Sequence, residues 1–537
     1  MPRDEKTLLR KFHEAKWDEQ IIFEMSVPGE RGILIREVEP SVSKKVGEVL
    51  DSIPLALRRK SPPKLPEINQ MRVLRHFLHL SQETMGADLT IDISEGTCTM
   101  KYSPKVQEHV AARHPGIREI HPLQPAETIQ GTLEIIYKLE QFLKEISGMD
   151  KFSFQPGGGA QAAYTAASVI RAYHASSGDT NRTETITTMF SHPCDAAGPA
   201  TAGFKVVTLM PNEDGYVDVD AFKAALSERT AAIFITNPED TGIYNPRIDE
   251  FVRAAHKAGA LCYYDQANAN GMLGITRARD AGFDLCHFNL HKTFSVPHGS
   301  MGGAVGALGC TNDIAKYLPV PRVEFDRKKK AYFLDYDAPE SIGKVRTFMG
   351  NVQSLVKSYT WIMQHGAQGL HEVAVCSVLN NQYMLKKLNE IPGVVVRYAP
   401  GKRRLEQVRY SWEKLKADTG VGTDDVMRRM ADFGLQHYWT SHHPWVVPEP
   451  FTLEPCESYS KDDIDEYVAV FRQISKEAYE NPEFVKNAPY NSVVHKVPNP
   501  SIDEPERIAV TWRQYLKKKE KAREGSAARQ LTVEKTH

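Results

Sequence analysis

The stretch FNLHKTF, residues 288–294, decides the fold of this 537-residue chain when it is read with YYDQA, residues 263–267. The apolar residues just before Lys292 and just before Asp265 predict two buried strands. The carboxylate precedes the lysine by 292 − 265 = 27 residues, which suits a strand, a connector and a second strand. Both side chains are therefore expected at the carboxyl ends of neighbouring strands, where open α/β sheets bind ligands.

A lysine and a carboxylate at adjacent strand ends fit the cofactor pyridoxal phosphate. Lys292 would form a Schiff base with the cofactor aldehyde, and Asp265 would keep the pyridine nitrogen protonated so that the ring can accept the electrons of a carbanion. Taken singly, a lysine after a strand is usually solvated and a strand-end aspartate usually caps a helix. The prediction therefore depends on a phosphate-binding loop elsewhere in the chain.

Such a loop is predicted upstream, in QPGGGAQ, residues 155–161. It follows a short predicted strand, 152–154, and precedes a helix-compatible segment, 162–174. Glycines at a helix start let backbone N–H groups approach a phosphate, which the helix dipole also attracts. A Gly-Gly-Gly loop alone is more often a flexible turn, so its position ahead of Asp265 and Lys292 is what gives it weight.

Apolar runs alternate with helix-like segments between this loop and Lys292. The pattern predicts a mainly parallel sheet that is covered on both faces. The predicted strands are 205–210, 231–237, 261–265 and 285–290, and the predicted helices include 219–227 and 249–258. Asn237 at a strand end and His192 in a turn-rich segment are candidates to face the cofactor ring, although a histidine in a turn is more often simply exposed.

Changes in composition predict four regions. Residues 1–85 mix charge with prolines and are expected to form an N-terminal arm of the kind that wraps a partner subunit. Residues 86–340 are expected to form the large, cofactor-binding domain. Residues 341–490 have longer helices and short strands, such as 394–398, and predict a smaller α+β domain. Residues 491–537 predict a charged tail, with a frayed helix and disorder.

The overall composition restricts the partners. The chain has 67 basic and 68 acidic residues, a formal net charge of −1, which argues against nucleic acid and anionic membrane as partners. Its seven cysteines are far apart and form no Cys-x-x-Cys pair, so neither a disulfide framework nor a zinc site is indicated. With no secretory signal and no apolar run that could span a bilayer, we expect a soluble, cytoplasmic protein.

Four motifs are specific enough to indicate a family: GTCTMKY at 96–102, HPLQP at 121–125, NLHKTF at 289–294 and SIGKVR at 341–346. With them, most of the chain resembles the second subunit of two-subunit glycine dehydrogenase (decarboxylating), the P-protein of the glycine cleavage system. The resemblance implies the type I pyridoxal-phosphate fold, which is aspartate-aminotransferase-like. That fold is α/β, with a mainly parallel large-domain sheet and a smaller α+β C-terminal domain.

The resemblance also assigns roles to residues. It implies that Lys292 is the Schiff-base lysine, that Asp265 meets the pyridine nitrogen, and that Gly158, Gly159 and Ala160 hold the phosphate.

Further residues are expected around the cofactor, namely Ala267, Gln161, His192, Asn237 and His291. His192 matches a histidine that the family keeps near the cofactor, and we expect it to contribute to catalysis with Lys292. Cys98 and Arg346 are expected to contact the substrate. Cys98 considered alone is more often a buried small hydrophobic residue. Arg346 is explained equally well as a clamp for a carboxylate and as a surface arginine on a loop.

The chain departs from the family pattern around the expected pocket. Gln161 replaces a histidine that is expected to stack on the cofactor ring. SHPCDA at 191–196, HGSMGGA at 298–304 and HHPW at 442–445 replace Ser-Ala-His-Gly-Thr-Asn-Pro, a glycine-rich run and an aromatic-Pro-Leu stretch, respectively. These departures keep a second interpretation open, a stand-alone paralogue that acts on another amino acid without lipoyl transfer.

The main interpretation implied by the resemblance is decarboxylation of glycine, with transfer of the aminomethyl group to the lipoyl arm of a carrier H-protein. It implies an oligomer that includes a P-protein first subunit. A third interpretation, a non-catalytic partner subunit, is disfavoured because Lys292, Asp265 and the glycine loop are all retained.

Overall fold

The computed structural model describes residues 8–47, 49–86, 89–93, 101–297, 302–493, 496 and 511–533. Cys98, which the sequence predicts at the substrate, lies outside these residues. Contacts divide the chain into two units. The first comprises Met1–Lys11 and Gly86–Ala488, and the second comprises Phe12–Met85 and Pro489–His537.

A seven-stranded sheet forms the centre of the first unit. Its strands are β1 Lys151–Ser153, β2 Glu184–Thr188, β3 Lys205–Leu209, β4 Thr230–Thr236, β5 Leu261–Asp265, β6 Leu285–Asn289 and β7 Gly306–Cys310. Their order is β1-β7-β6-β5-β4-β2-β3. All neighbours from β3 to β6 are parallel, and β7 runs antiparallel to both β6 and β1. The prediction of a mainly parallel sheet is confirmed.

The helices of the first unit precede, connect and follow these strands. They are α3 Lys105–Arg113, α4 Pro115–Arg118, α5 Gln130–Ser147, α6 Gly159–Ser176, α7 Cys194–Thr201, α8 Val219–Ala225, α9 Ile248–Lys257, α10 Asn312–Ala315, α11 Val352–Leu388, α12 Glu413–Thr419, α13 Thr423–Ala431, α14 Lys461–Glu480 and α15 Pro482–Lys486. A 3-10 helix spans Ala126–Thr128. The α11 segment is two helices that meet at Gly366, where φ is 63°.

Side chains that point alternately to the two faces of the central strands form two apolar layers, one on each face of the sheet. Ile233 and Ile235 of β4 pack into one hydrophobic cluster, whereas Ala232 and Phe234 pack into the other, together with the buried face of α6. Successive side chains of a strand point to opposite faces, so a strand that is apolar at every position needs cover on both sides. The near-continuous apolar runs in the sequence are explained by this arrangement.

Residues after β7 form two further pairs of strands. One antiparallel pair is β8 Arg322–Asp326 with β9 Ala331–Asp335, and the other is β10 Val408–Ser411 with β11 Pro450–Leu453. The second pair packs with α12 to α15 around its own apolar core, which includes Trp412, Phe451 and Phe471. The smaller α+β fold is confirmed, while its predicted boundaries remain predictions.

The predicted strand at 394–398 is wrong. Val395 forms only an isolated bridge with Ser411, the last residue of β10. The bridge consists of two backbone hydrogen bonds between Val395 and Ser411 and does not continue to the neighbouring residues, so the segment forms no strand.

The second unit contains α1 Pro40–Val46, α2 Gln70–Gln82 and α16 Trp512–Val533, with 3-10 helices at Val49–Ser52 and Leu55–Leu57. Within it, a ring nitrogen of His76 lies 2.8 Å from the carboxylate of Glu19. Tyr515 of α16 donates a hydrogen bond to Glu24 at 3.0 Å. Across the described residues, no helix has the length and apolarity needed to cross a membrane.

Candidate active site

Lys292 and Asp265 lie at the same edge of the sheet. Asp265 is the last residue of β5, and Lys292 follows the end of β6, the parallel neighbour of β5. The N–H of Lys292 donates to the carbonyl of Asn289 at 2.9 Å, so the chain turns as soon as the strand ends. The predicted convergence of the two side chains at neighbouring strand ends is therefore observed.

The environment of Asp265 favours its ionised form. Its side chain is buried, and its Oδ1 accepts from the N–H of Ala267 at 2.8 Å and lies 3.6 Å from Nε2 of His287. Burial by itself would raise the pKa of Asp265, but His287, His192, the Ala267 N–H and Lys292 together lower it. A buried carboxylate that keeps its charge can hold a proton on a partner nitrogen.

A second carboxyl group, that of Asp195, lies beside Asp265. One ligand atom from each of Cys194, Asp195 and Asp265 lies within 4.8 Å of the others, and Thr236 donates to Oδ2 of Asp195 at 3.0 Å. Burial, followed by the charge of Asp265, raises the pKa of Asp195 well above its usual range. Two close buried carboxyl groups do not both ionise, so the pair carries one negative charge.

The glycine loop ends at the N-terminus of α6, as predicted. Gly158 precedes the helix with a φ of 149°, and the helix begins at Gly159. The first N–H groups of a helix have no partner within the helix and point outward with the positive end of its dipole. A Cβ built on Gly159 would lie 3.0 Å from the side-chain amide of Asn289. The absence of a side chain at Gly159 therefore lets β6 pack closely against the start of α6, which is the position that an anion cradle requires.

Neighbouring segments hold the glycine loop in place. Gly306, at the start of β7, donates its N–H to the carbonyl of Pro156 at 2.8 Å. A Cβ on Gly306 would lie 2.6 Å from the carbonyl oxygen of Gly158, so only glycine permits this approach. Arg346 lies against Gly157, where a Cβ would overlap its guanidinium group. The candidate carboxylate clamp is thus located beside the loop, where its charge would also attract a phosphate.

Gln161 braces this loop. Its Oε1 accepts from the N–H of Gly157 at 2.7 Å, and its Nε2 donates to the carbonyl of Val345 at 2.8 Å. Both ends of the amide are therefore engaged with backbone, which connects the loop to the segment that carries Arg346. Contact between Gln161 and a cofactor remains a prediction.

His192 lies between β2 and α7, close to the strand ends. Its Nδ1 accepts from the N–H of Cys194 at 3.0 Å, and its ring contacts that of His442 with 4.3 Å between centroids. Burial, with the charges of His442 and Lys292, lowers the pKa of His192 to about 3. At neutral pH this imidazole is uncharged.

Asn237, His291 and Ala267 also lie near the strand ends, where they contact neighbouring groups of the protein. The side-chain amide of Asn237 bonds to the backbone of Asn245, accepting from its N–H at 2.8 Å. Nδ1 of His291 lies 3.2 Å from the backbone nitrogen of Val305. Ala267 donates its N–H to Asp265. Their contact with a cofactor stays a prediction.

His287 contacts the predicted site residues, and sequence reasoning missed it. It is fully buried on β6, hydrogen-bonds to the hydroxyl of Tyr263 through Nδ1, and lies beside Asp265. Leu285, His287 and Asn289 share one face of β6, because residues two apart on a strand point the same way. Two polar side chains on one face of an otherwise apolar strand were the available signal.

The segment that begins at Lys101 braces the turn after Lys292. Lys101 is buried and donates to the carbonyl of Thr293 at 2.8 Å, and it pairs with Glu457 at 2.9 Å. Ser295 has a φ of 59°, which is uncommon for a residue with a side chain, and it donates to the carbonyl of Tyr102. This part of the GTCTMKY motif therefore supports the backbone that carries the lysine.

Residues from the smaller fold and the segment after β4 that carries Glu239 and Asp240 together form a wall near His192. Arg409 of β10 forms a buried ion pair with Asp240, and Nδ1 of His442 lies 3.4 Å from Oδ2 of the same carboxylate. Burial by itself would raise the pKa of Asp240, but Arg409 and His442 outweigh it and lower that pKa. Nothing in the sequence indicated that Asp240 and Arg409 would meet.

Two family models match the chain. One, described as aminotransferase class-V, covers residues 147–417, and the other, described as glycine dehydrogenase, C-terminal domain, covers residues 373–499. The first spans the sheet and both predicted cofactor contacts, Asp265 and Lys292. It is consistent with the fold described above.

Solved structures share this fold. A glycine decarboxylase (P-protein) of the glycine cleavage system, in inhibitor-bound form, superposes with a TM-score of 0.66 at 19% identity, covering 82% of this chain and 100% of that chain. The cysteine desulfurase CsdA from Escherichia coli superposes with a TM-score of 0.55 at 14% identity, covering 73% and 96%. These likenesses confirm the predicted fold class.

Curated relatives are much closer in sequence. A probable glycine dehydrogenase (decarboxylating) subunit 2 from Pyrococcus horikoshii is 43% identical over 95% of this chain and 99% of its own length. The protein of the same name from Halalkalibacterium halodurans is 41% identical over 89% and 96%. These names support the main interpretation and not the stand-alone paralogue. At this identity and coverage, the chain belongs to the glycine dehydrogenase (decarboxylating) subunit 2 family.

Proposed function

We propose that this chain binds pyridoxal phosphate and decarboxylates glycine, with transfer of the aminomethyl group to a lipoyl carrier protein. The observation that carries the proposal is that Lys292, Asp265 and the N-terminus of α6 meet at one edge of the sheet. Each suits a different part of the cofactor. Lys292 supplies an amine for the aldehyde, Asp265 supplies a charged carboxylate for the pyridine nitrogen, and the helix N-terminus supplies an anion cradle for the phosphate. Glycine follows from the names of the relatives.

The residues present fit the cofactor. The N–H groups at Gly158, Gly159 and Ala160 would hold the phosphate, since they begin α6, where the positive end of the helix dipole favours an anion. Lys292 would hold the aldehyde end, and Asp265 would face the pyridine nitrogen. Bound pyridoxal phosphate supplies a conjugated ring that accepts the electron pair left when carbon dioxide departs.

The protein's own groups set the charges around this chemistry. Asp265 keeps its negative charge and so can hold a proton at the facing nitrogen, while the raised pKa of Asp195 keeps a second negative charge out of the site. His192 adds no positive charge, because its pKa is about 3. Substrate carboxylate binding is assigned to Arg346, whose guanidinium group can pair with it through two parallel hydrogen bonds.

The proposal extends to partners and location. We propose that the chain works in the cytoplasm, in an oligomer with a P-protein first subunit, and that the oligomer receives the lipoyl arm of an H-protein. Exposed apolar residues of the N-terminal arm support a partner subunit: Ile33, Leu34 and Ile35 are 71%, 84% and 81% exposed. A contiguous exposed apolar run of this kind supports the proposal that another chain covers this surface.

The cofactor assignment is tested by trapping. The full chain is mixed with pyridoxal phosphate, reduced with borohydride and digested, and the peptides are weighed by mass spectrometry. The cofactor should be found on the peptide that contains Lys292, and the label should be lost in Lys292→Ala but kept in Lys205→Ala, which removes an exposed lysine. Label at another lysine in the wild-type chain would contradict the assignment.

The reaction is tested by isotope exchange. The chain is combined with a first subunit and a lipoyl carrier, and labelled bicarbonate should enter the carboxyl group of glycine. Absence of exchange by a chain that has bound its cofactor would overturn the proposed reaction while leaving cofactor binding intact.

A further inference from the structure

We propose that His442, held by Asp240, is a positioning residue that keeps the ring of His192 uncharged and fixed in orientation. Neither the family assignment nor the proposed reaction gives His442 a role. The proposal rests on the proposed function only in taking the neighbourhood of His192 as the cofactor pocket.

The hydrogen bond of His192 already requires an uncharged ring. The N–H of Cys194 points at Nδ1 of His192 at 3.0 Å, so Nδ1 must accept and carry no proton. In a protonated ring both nitrogens carry a proton. Nδ1 would then face the N–H of Cys194 as a second donor, and this hydrogen bond would be lost. The position of the ring at the start of α7 and its charge are therefore linked.

A second imidazole lies directly against the first. The rings of His192 and His442 meet edge to face, with 4.3 Å between centroids and an interplanar angle of 65°. Both rings are half-buried, so water screens them only in part, and like charges at this separation disfavour protonation of both rings at once. Which ring takes the proton depends on the groups that surround each of them.

Those groups favour His442 as the charged member. Nδ1 of His442 lies 3.4 Å from Oδ2 of Asp240, and a neighbouring carboxylate favours imidazolium. Arg409 also pairs with Asp240 and stacks over Phe190 with 5.1 Å to the ring centroid, which anchors the carboxylate. His192, in contrast, has the ammonium group of Lys292 among its neighbours.

Among the other charged groups near His192, Asp240 and Asp265 favour a proton on its ring, and Lys292 disfavours it. His443 packs close to Asp240, Arg409 and His442, and burial lowers its pKa. On the side of the strand ends, Asp265 would favour a proton on His192, but burial, His442 and Lys292 outweigh it, since the pKa of His192 is about 3. Protonation therefore stops at His442 as the pH falls.

His442 lies in a segment where the sequence departs from the family pattern. The HHPW segment, residues 442–445, replaces an aromatic-Pro-Leu stretch and brings a titratable ring to a place that the pattern leaves apolar. Asp240 follows β4, whereas His442 comes from the smaller fold. The charge on His192 therefore depends on residues from two parts of the first unit, the segment after β4 and the smaller fold.

The test measures histidine protonation in the cofactor-free, full-length chain. Histidine is labelled with carbon-13 at Cε1, spectra are recorded from pH 8 to pH 5, and the His192 signal is identified by its absence in His192→Gln. In the wild-type chain this signal should not titrate. In His442→Gln, and in His442→Phe, which keeps a ring in place, the signal should begin to titrate as the pH approaches 5, because the competing charge is gone while burial, the first cause of the low pKa, remains.

Two further variants make the test specific. Asp240→Asn should cause the His442 signal to lose its proton at a lower pH than in the wild-type chain. His437→Gln, which removes an exposed histidine of the same part of the chain, should leave the His192 signal unchanged. A His192 signal that behaves in both His442 variants as it does in the wild-type chain would overturn the proposal.

Cofactor binding supplies a second readout. In His442→Phe the dissociation constant for pyridoxal phosphate should rise several-fold more between pH 8 and pH 5 than it does in the wild-type chain. A pH-independent loss of affinity would indicate a merely structural role and would count against the proposal. If the spectra behave as expected but no chain binds the cofactor, the positioning role stands and the proposed function fails.

Discussion

The two sides of the candidate site are built in different ways. On one side, Lys292 and Asp265 come from adjacent parallel strands, 27 residues apart in sequence by subtraction of their numbers. On the other side, Asp240 meets Arg409 across 169 residues and His442 across 202 residues. The first side follows from the order of strands in the sheet, and the second depends on how the smaller fold packs against it.

The two sides also balance their charges differently. At the strand ends, a proton on Asp195 removes one of two negative charges. In the wall, Asp240 keeps its charge because Arg409 pairs with it, while the neighbouring Glu239 is neutral because burial raises its pKa to about 8. The strand ends are therefore expected to govern chemistry, and the wall to govern pH dependence and stability.

The largest effect is expected at the lysine. Lys292→Ala should reduce turnover by at least about a thousandfold, since no other group can replace the amine. The fold should survive, because a half-buried side chain at a strand end contributes little to packing. Turnover in the reconstituted system and circular dichroism measure the two parts. Activity close to that of Lys205→Ala would refute the role of Lys292.

The next effect is expected at its carboxylate partner. Asp265→Asn should still bind pyridoxal phosphate but should slow decarboxylation by about a hundredfold or more, because an amide cannot hold a pyridinium proton by charge. Cofactor titration followed by visible absorbance and exchange of labelled bicarbonate separate the two effects. Unchanged exchange would show that the ring nitrogen has another partner.

A smaller effect is expected from the glycine that supports the loop. Gly306→Ala adds a Cβ that would lie 2.6 Å from the carbonyl oxygen of Gly158. The loop must move, and affinity for the cofactor should fall by about tenfold, or about 1.4 kcal/mol. Gly131→Ala is the matched control, since its Cβ would have no neighbour within 4 Å. Equal affinity in the two variants would mean that the loop does not hold the phosphate.

The smallest effect is expected in the wall and concerns pH. The pKa of Glu239 is about 8 when folded and 4.5 ordinarily, so the folded chain holds a proton that the unfolded chain releases between these values. This contribution to stability is full below pH 4.5 and declines as the pH rises toward 8. Glu239→Gln should remove that decline.

Thermal unfolding checks this prediction. Relative to the wild-type chain, Glu239→Gln should gain a few degrees in melting temperature between pH 5 and pH 8. Part of the slope should remain, because Glu406 is buried with a pKa of about 8 as well. A constant difference between the two chains across this range would show that Glu239 is ionised when folded.

Most of the large fold could be predicted from local patterns. The strand that ends at Asp265 was predicted with the bounds it has, and α6 starts three residues before the predicted helix. Apolar runs identify these strands because both of their faces are covered. The prediction of a strand at 394–398 is wrong because a short apolar run does not reveal how many of its residues will pair, and only Val395 is bridged to β10.

The sequence by itself determined the parallel sheet, the glycine loop and the meeting of Lys292 with Asp265, because parallel strands bring their carboxyl ends to one edge whatever packs around them. Only the tertiary structure decided the charges. Whether Asp195 or Asp265 ionises, and whether His192 can be protonated, depends on burial and on groups distant in sequence such as His442. Electrostatic energy depends on separation in space and on access to water, and neither quantity is written in the order of residues.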